Sequence, residues 1–105
     1  MGCRTIEVLY FAGCPNWQRA VETVQSAANE AGVDVEIRLV RVESADDAER
    51  QRFLGSPTIR VDGRDVEDGA GLRRDYALGC RVYSIEGKLA GLPPLSWITR
   101  ALSSS

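Results

Sequence analysis

The sequence contains no histidine. That absence removes any Cys-His dyad, any imidazole metal ligand and any histidine general base. Lysine is nearly absent as well: Lys88 is the only one among 13 basic residues, and arginine supplies the rest. No apolar run approaches the roughly 20 residues of a membrane-spanning helix, so no membrane partner is expected. Positive charge is not in excess either. A net charge of -2 leaves no footprint for nucleic acid, whose phosphates are met by clustered cations. Cysteines number three, an odd count and widely spaced, unlike the paired framework of a small secreted domain. Met1-Gly2-Cys3-Arg4 leaves no room for the apolar region of a signal peptide before the first predicted strand. Ile6 stands where a myristoylation motif wants Ser or Thr. Cytoplasm is the expected compartment.

What is present suits one domain spanning residues 1–105, with an ordinary 44% of hydrophobic residues and no internal repeat or linker. Thr5-Ile6-Glu7-Val8-Leu9-Tyr10-Phe11 is rich in β-branched and aromatic residues and predicts a strand buried on most of both faces. Trp17, Ala20, Val21, Val24, Ala27 and Ala31 recur at helical spacing, with Pro15 suited to the first helical position and Gly32 to the C-cap. Val33, Val35, Ile37 and Leu39 alternate with charged residues, as in a half-exposed edge strand. A strand, helix and strand this close together imply a parallel pair. Ser44 is a candidate N-cap ahead of Asp46 and Asp47. Ala45, Ala48, Phe53 and Leu54 form the thin apolar stripe of that second helix, ending at Gly55. Asp62-Gly63 signals a tight hairpin. A loop with one helical turn is expected over 67–77, then a short strand over 80–85 turned by Glu86-Gly87. Pro93-Pro94 opens a last helix facing the core with Leu95, Ile98, Ala101 and Leu102. The final serines are expected to fray.

Chemistry concentrates in Phe11-Ala12-Gly13-Cys14-Pro15-Asn16-Trp17, where the first strand gives way to the first helix. Unpaired N–H groups and the helix dipole favour an anion at such a point, and the thiolate, not the thiol, is the nucleophile of cysteine chemistry. Without histidine, only the helix end, backbone donors and arginines can activate Cys14. The plain alternative is a small buried hydrophobe in a turn. Ser56-Pro57-Thr58 is the second informative stretch, because Pro57 opens a strand at a place where a cis bond can turn the chain.

The order strand, Cys-Pro turn, helix, strand, helix, Ser-Pro-Thr, hairpin, helix resembles the thioredoxin-like superfamily, its glutaredoxin-like members most. The resemblance covers Thr5 to Leu102 and rests on Cys14-Pro15-Asn16-Trp17 in place of the family's Cys-x-x-Cys, and on Ser56-Pro57-Thr58 in place of its cis-proline loop. It implies an α/β fold with a central mixed sheet of about four strands (βαβαββα) flanked by helices. It further implies that Cys14 is the attacking cysteine, that Pro57 lies beside it, and that Ser56, Pro57, Thr58 and Trp17 border a substrate groove. In that groove the Ser56 backbone would hold an extended thiol-bearing substrate. The family's second cysteine falls at Trp17, so the arrangement is monothiol. A mixed disulfide on Cys14 then needs a second thiol, either a low-molecular-weight thiol or Cys80. Cys80 reads equally as a core residue at a strand start, and Cys3, at the far end of the first strand, has no assigned role. Arg73 and Arg74 read as a solvated pair, or as partners for the carboxylates of a peptide-like thiol. Tyr10 and Tyr83 pack or hydrogen-bond near the site.

A looser resemblance involves Cys80-Arg81-Val82-Tyr83 with Gly91-Leu92-Pro93-Pro94-Leu95-Ser96-Trp97, which looks like the C-terminal segment of alkylmercury lyase. It implies affinity for mercury, with Cys14 and Cys80 as soft ligands. The functional expectations are thus a monothiol thiol-disulfide oxidoreductase acting on a disulfide or thiol substrate with no required cofactor, a soft-metal binder, or a non-catalytic module of the same fold.

Overall fold

The computed structural model describes residues 3–103. The readings of Met1-Gly2 and of the serines at 104 and 105 lie outside the described residues. Among those described, a mixed four-stranded sheet and three α-helices form a small α/β domain. The elements are β1 (Arg4–Tyr10), α1 (Trp17–Ala31), β2 (Val35–Arg41), α2 (Ala45–Gln51), β3 (Thr58–Val61), β4 (Arg64–Asp65), a short hairpin β5 (Tyr83–Ile85) and β6 (Lys88–Ala90), and α3 (Leu95–Ser103). A 3-10 turn, Ala70–Leu72, interrupts the loop after β4.

The sheet order is β2-β1-β3-β4. β2 runs parallel to β1 at the sheet edge, as expected, but its alternation breaks at Leu39, which is exposed while Val40 packs against the core. β3 runs antiparallel to β1, with Leu9 opposite Thr58 and Ile6 opposite Val61. Alternation along β1 sends Ile6 and Val8 to one face and Leu9 to the other. The first face packs Ile59, Val61, Ala20, Val24, Ala27, Ile98 and Leu102 between the sheet and helices α1 and α3. The second buries Leu9, Val42, Ala48 and Phe53 under α2. Burying each Val, Leu, Ile or Phe among them stabilises the fold by about 1.5–3 kcal/mol.

Local signals act as expected at several joints. Gly32 caps α1 at φ 68, and Ser44 accepts a hydrogen bond from the Asp47 N–H at 3.1 Å to cap α2. Asp62 and Gly63 both take positive φ between β3 and β4. Three expectations are corrected. Pro15 lies in a turn and α1 begins only at Trp17. α2 stops at Gln51 because Arg52 turns left-handed at φ 54, so Phe53 and Leu54 reach the core from a loop. Only Tyr83–Ile85 of the segment 80–85 is strand, and it pairs with β6 rather than joining the main sheet. No described helix is long and apolar enough to cross a membrane.

Candidate functional site

Two chain segments close the end of the sheet where β1 finishes and β3 begins. The first is the turn after β1. Cys14 N–H donates to the Phe11 carbonyl at 3.0 Å, and the Asn16 N–H points at Cys14 Sγ at 3.4 Å. That donor belongs to the unpaired N–H groups around the start of α1, as the anion argument requires, although Cys14 itself precedes the helix. Cys14 is only 5% exposed. Trp17 was expected on the apolar stripe of α1. It is instead half-buried and stacks on Tyr10, with ring centroids 4.4 Å apart. Gly13 is tied to this turn, since a Cβ there would sit 2.9 Å from the Phe11 ring.

The second segment is 53–58 and what lies on it. The Ser56-Pro57 peptide is cis. Ser56, Pro57 and Thr58 are all buried, and a stretch of the chain's own backbone covers them. The Ala77 N–H donates to Phe53 O at 3.1 Å, the Ser56 N–H to Gly79 O at 2.7 Å, and the Arg81 N–H to Ser56 O at 2.9 Å. These bonds make a parallel bridge between Ser56 and Cys80. Two expectations fall here. The Ser56 backbone is not available to an extended substrate, because both of its hydrogen-bonding groups are taken internally. Cys80 is not a core residue; it is exposed.

Because β3 is antiparallel to β1, the Cys14 turn after β1 and the Ser56-Pro57 step before β3 stand at the same end of the sheet. The bridge to Ser56 brings Cys80 to that end too. Cys3 is exposed before the opposite end of β1.

A buried charge network holds the second segment. The Arg81 guanidinium is fully buried, donating to Thr58 Oγ1 at 3.0 Å, to both Asp65 oxygens at 2.7 and 3.1 Å, and to Glu67 Oε1 at 2.7 Å. It also lies over the Tyr83 ring, 4.5 Å from the centroid. Burial opposes its charge, but the hydrogen bond and charge of Asp65, with Tyr83 and Glu67 beside it, hold Arg81 above its ordinary range. Burial pushes the Tyr83 phenol up, against the pull of Arg81. Its hydroxyl donates to Pro57 O at 2.6 Å, so Tyr83 both packs and bonds to the cis-proline step. Thr58 does not line a groove either: its hydroxyl donates to Gly55 O at 2.6 Å and accepts from Arg81. Gly55, at φ 122, leaves room for the second backbone, since a Cβ there would meet Arg81 Cα at 2.9 Å.

Arg73 already pairs with Asp75 and Glu67, so it is engaged within the chain, while Arg74 is exposed. Arg81, Asp65, Glu67 and Gly55 were missed as site-forming residues. The available signal was an arginine directly after Cys80 in an otherwise apolar stretch. Two donors at this end, Ser56 Oγ and Arg81 Nε, are buried with no hydrogen-bond partner among the described residues. A groove of about 760 Å³ along the β3–β4 hairpin is bordered by residues such as Arg60, Arg64, Tyr76 and Arg100, and by neither Cys14 nor Cys80. Among the described residues no group of three or more Cys, Asp or Glu is placed to hold a metal ion. Comparison with family models and with curated proteins gives no match to this chain.

Proposed function

We propose that the protein is a thiol-disulfide oxidoreductase of thioredoxin-like fold whose working couple is Cys14 and Cys80. The mixed four-stranded sheet, the helix following β1 and the cis Ser56-Pro57 step agree with what the sequence resemblance implies. The observation that carries the reading is the Ser56–Cys80 bridge, which puts a second thiol at the sheet end occupied by Cys14. With Trp17 in place of the family's second cysteine, Cys80 supplies within the chain the thiol that a monothiol arrangement otherwise borrows. A low-molecular-weight thiol returns the couple to its reduced state. Exchange then proceeds through a mixed disulfide, since a thiolate attacks one sulfur and expels the other.

The test is equilibration in glutathione redox buffers followed by mapping of disulfide-linked peptides. A Cys14–Cys80 link with Cys3 unlinked is the expected oxidised form. Glutathione carried on Cys14 with Cys80 free points to an external resolving thiol, and a Cys14 that never exchanges leaves the non-catalytic module. The same juxtaposition favours a second reading, two-coordinate binding of a soft ion such as mercury by both thiolates. In a mercury titration Cys80→Ser should then weaken binding as severely as Cys14→Ser does; unchanged affinity in Cys80→Ser sinks it.

A further inference from the structure

We infer that exchange begins at Cys80 and finishes at Cys14, the reverse of the order implied by the sequence resemblance; this rests on the couple proposed above. Three observations carry it. Cys14 is 5% exposed and Cys80 is exposed, so an incoming disulfide meets Cys80 first. Ser56, the main-chain site through which an extended substrate would line up on Cys14, has both its N–H and its carbonyl bonded to Gly79 and Arg81. And Cys80 sits between Leu78 and Val82, 40% and 54% exposed, on a segment whose next residue, Arg81, is wholly buried. The thiol is exposed while its backbone stays fixed to Ser56, at the sheet end where the Cys14 turn lies.

The steps balance. The Cys80 thiolate attacks one sulfur of a substrate disulfide, forming a Cys80 mixed disulfide and expelling the first substrate thiolate. The Cys14 thiolate, its sulfur facing the Asn16 N–H, then attacks Cys80 Sγ, forming Cys14–Cys80 and expelling the second. One substrate disulfide is reduced to two thiols, which take up the protons given by the two cysteines, and the cysteine pair is oxidised. The second step is intramolecular and gains from the fixed geometry. Arg81 is a positioning residue in this scheme, since its bonds to Thr58, Asp65 and Glu67 fix the segment that carries Cys80 without touching substrate.

The experiment uses the full chain with Cys3→Ser and a chromogenic nitrothiobenzoate disulfide as the probe, read by stopped flow and mass spectrometry. The parent should release both halves of the reagent and retain none. Cys14→Ser should keep the parent's first release rate and retain one half on Cys80. Cys80→Ser should slow the first release at least about tenfold, because reaction at buried Cys14 requires local opening. If Cys80→Ser keeps the fast phase and traps the adduct on Cys14, the order is overturned while the couple stands. If the parent retains both halves and forms no Cys14–Cys80 link, couple and order both fall. Acid quenching of the parent at early times locates the first adduct without any change at Cys14: on Cys80 it supports the order, on Cys14 it overturns it. Asp65→Asn, which loosens Arg81, should slow the second release and leave the first unchanged. A loss confined to the first release would refute the positioning role.

Discussion

The two thiols stand at one end of the sheet but are held there by different kinds of structure. Cys14 is placed by neighbours in sequence, a Phe11 carbonyl and an Asn16 N–H, and ends up covered. Cys80 is placed by residues distant in sequence, Ser56 through the backbone and Asp65 and Glu67 through Arg81, and ends up exposed. Fixity and burial are therefore separable properties. In an extended segment successive side chains face opposite ways. Over 80–83 they alternate exposed, buried, exposed, buried, so the inward Arg81 and Tyr83 anchor the backbone that turns Cys80 outward.

The largest blow to that contrast is Arg81→Ala. Removing Arg81 takes the cation from Asp65 and leaves Glu67 with Arg73 alone, and losing one partner of a buried ion pair runs at about 3–5 kcal/mol. Urea denaturation should show a loss of this order, and amide exchange should quicken at Ser56 and Arg81 more than in α1. Arg81→Met recovers the packing but not the pairing, so it should fall between the two. A loss under about 1 kcal/mol, the range of exposed pairs, would mean that the charge network does not pin the segment.

Tyr83→Phe is gentler. It strips the hydroxyl from Pro57 O and leaves the ring under Arg81, a change of about 1 kcal/mol for one buried hydrogen bond. Alkaline pH sharpens the result. In the unfolded chain tyrosine gives up its proton from about pH 10. Buried Tyr83 keeps its proton to higher pH, so the folded state binds more protons and stability falls as pH rises. Tyr83→Phe lacks that decline, so its gap from the parent, measured by urea midpoints, should narrow above about pH 10. A constant gap would mean that Tyr83 ionises as freely folded as unfolded.

The same contrast explains how far the sequence could be read. The strand, turn and helix around Cys14, the Asp62-Gly63 hairpin, the Ser44 cap and the place of Pro57 all follow from residues that act on their neighbours. The Ser56–Cys80 bridge does not, because a parallel contact between distant segments leaves no turn residue behind. Arg81 inverts the usual pattern outright. Hydropathy alone would turn Val82 inward and Arg81 outward, yet Val82 is 54% exposed and Arg81 is buried. Asp65 and Glu67, contributed from the far side of a long loop, supply the charge that makes that inversion stable, with the Thr58 hydroxyl and the Tyr83 ring beside them.

Ser56 belongs to both halves of the comparison, and its substitution is the smallest change that still tests them. Its backbone is saturated by the Cys80 segment, while its hydroxyl is buried with no partner. A polar group in that state opposes folding, so Ser56→Ala should leave both backbone bonds in place and raise stability by about 1 kcal/mol in urea melts. Release of both halves of the chromogenic disulfide should be unaffected, because Ser56 positions Cys80 through its main chain alone. If Ser56→Ala instead slows only the second release, the hydroxyl is engaged during the step at Cys14. The division between a locally built thiol and a remotely pinned one would then give way to a shared donor at their junction.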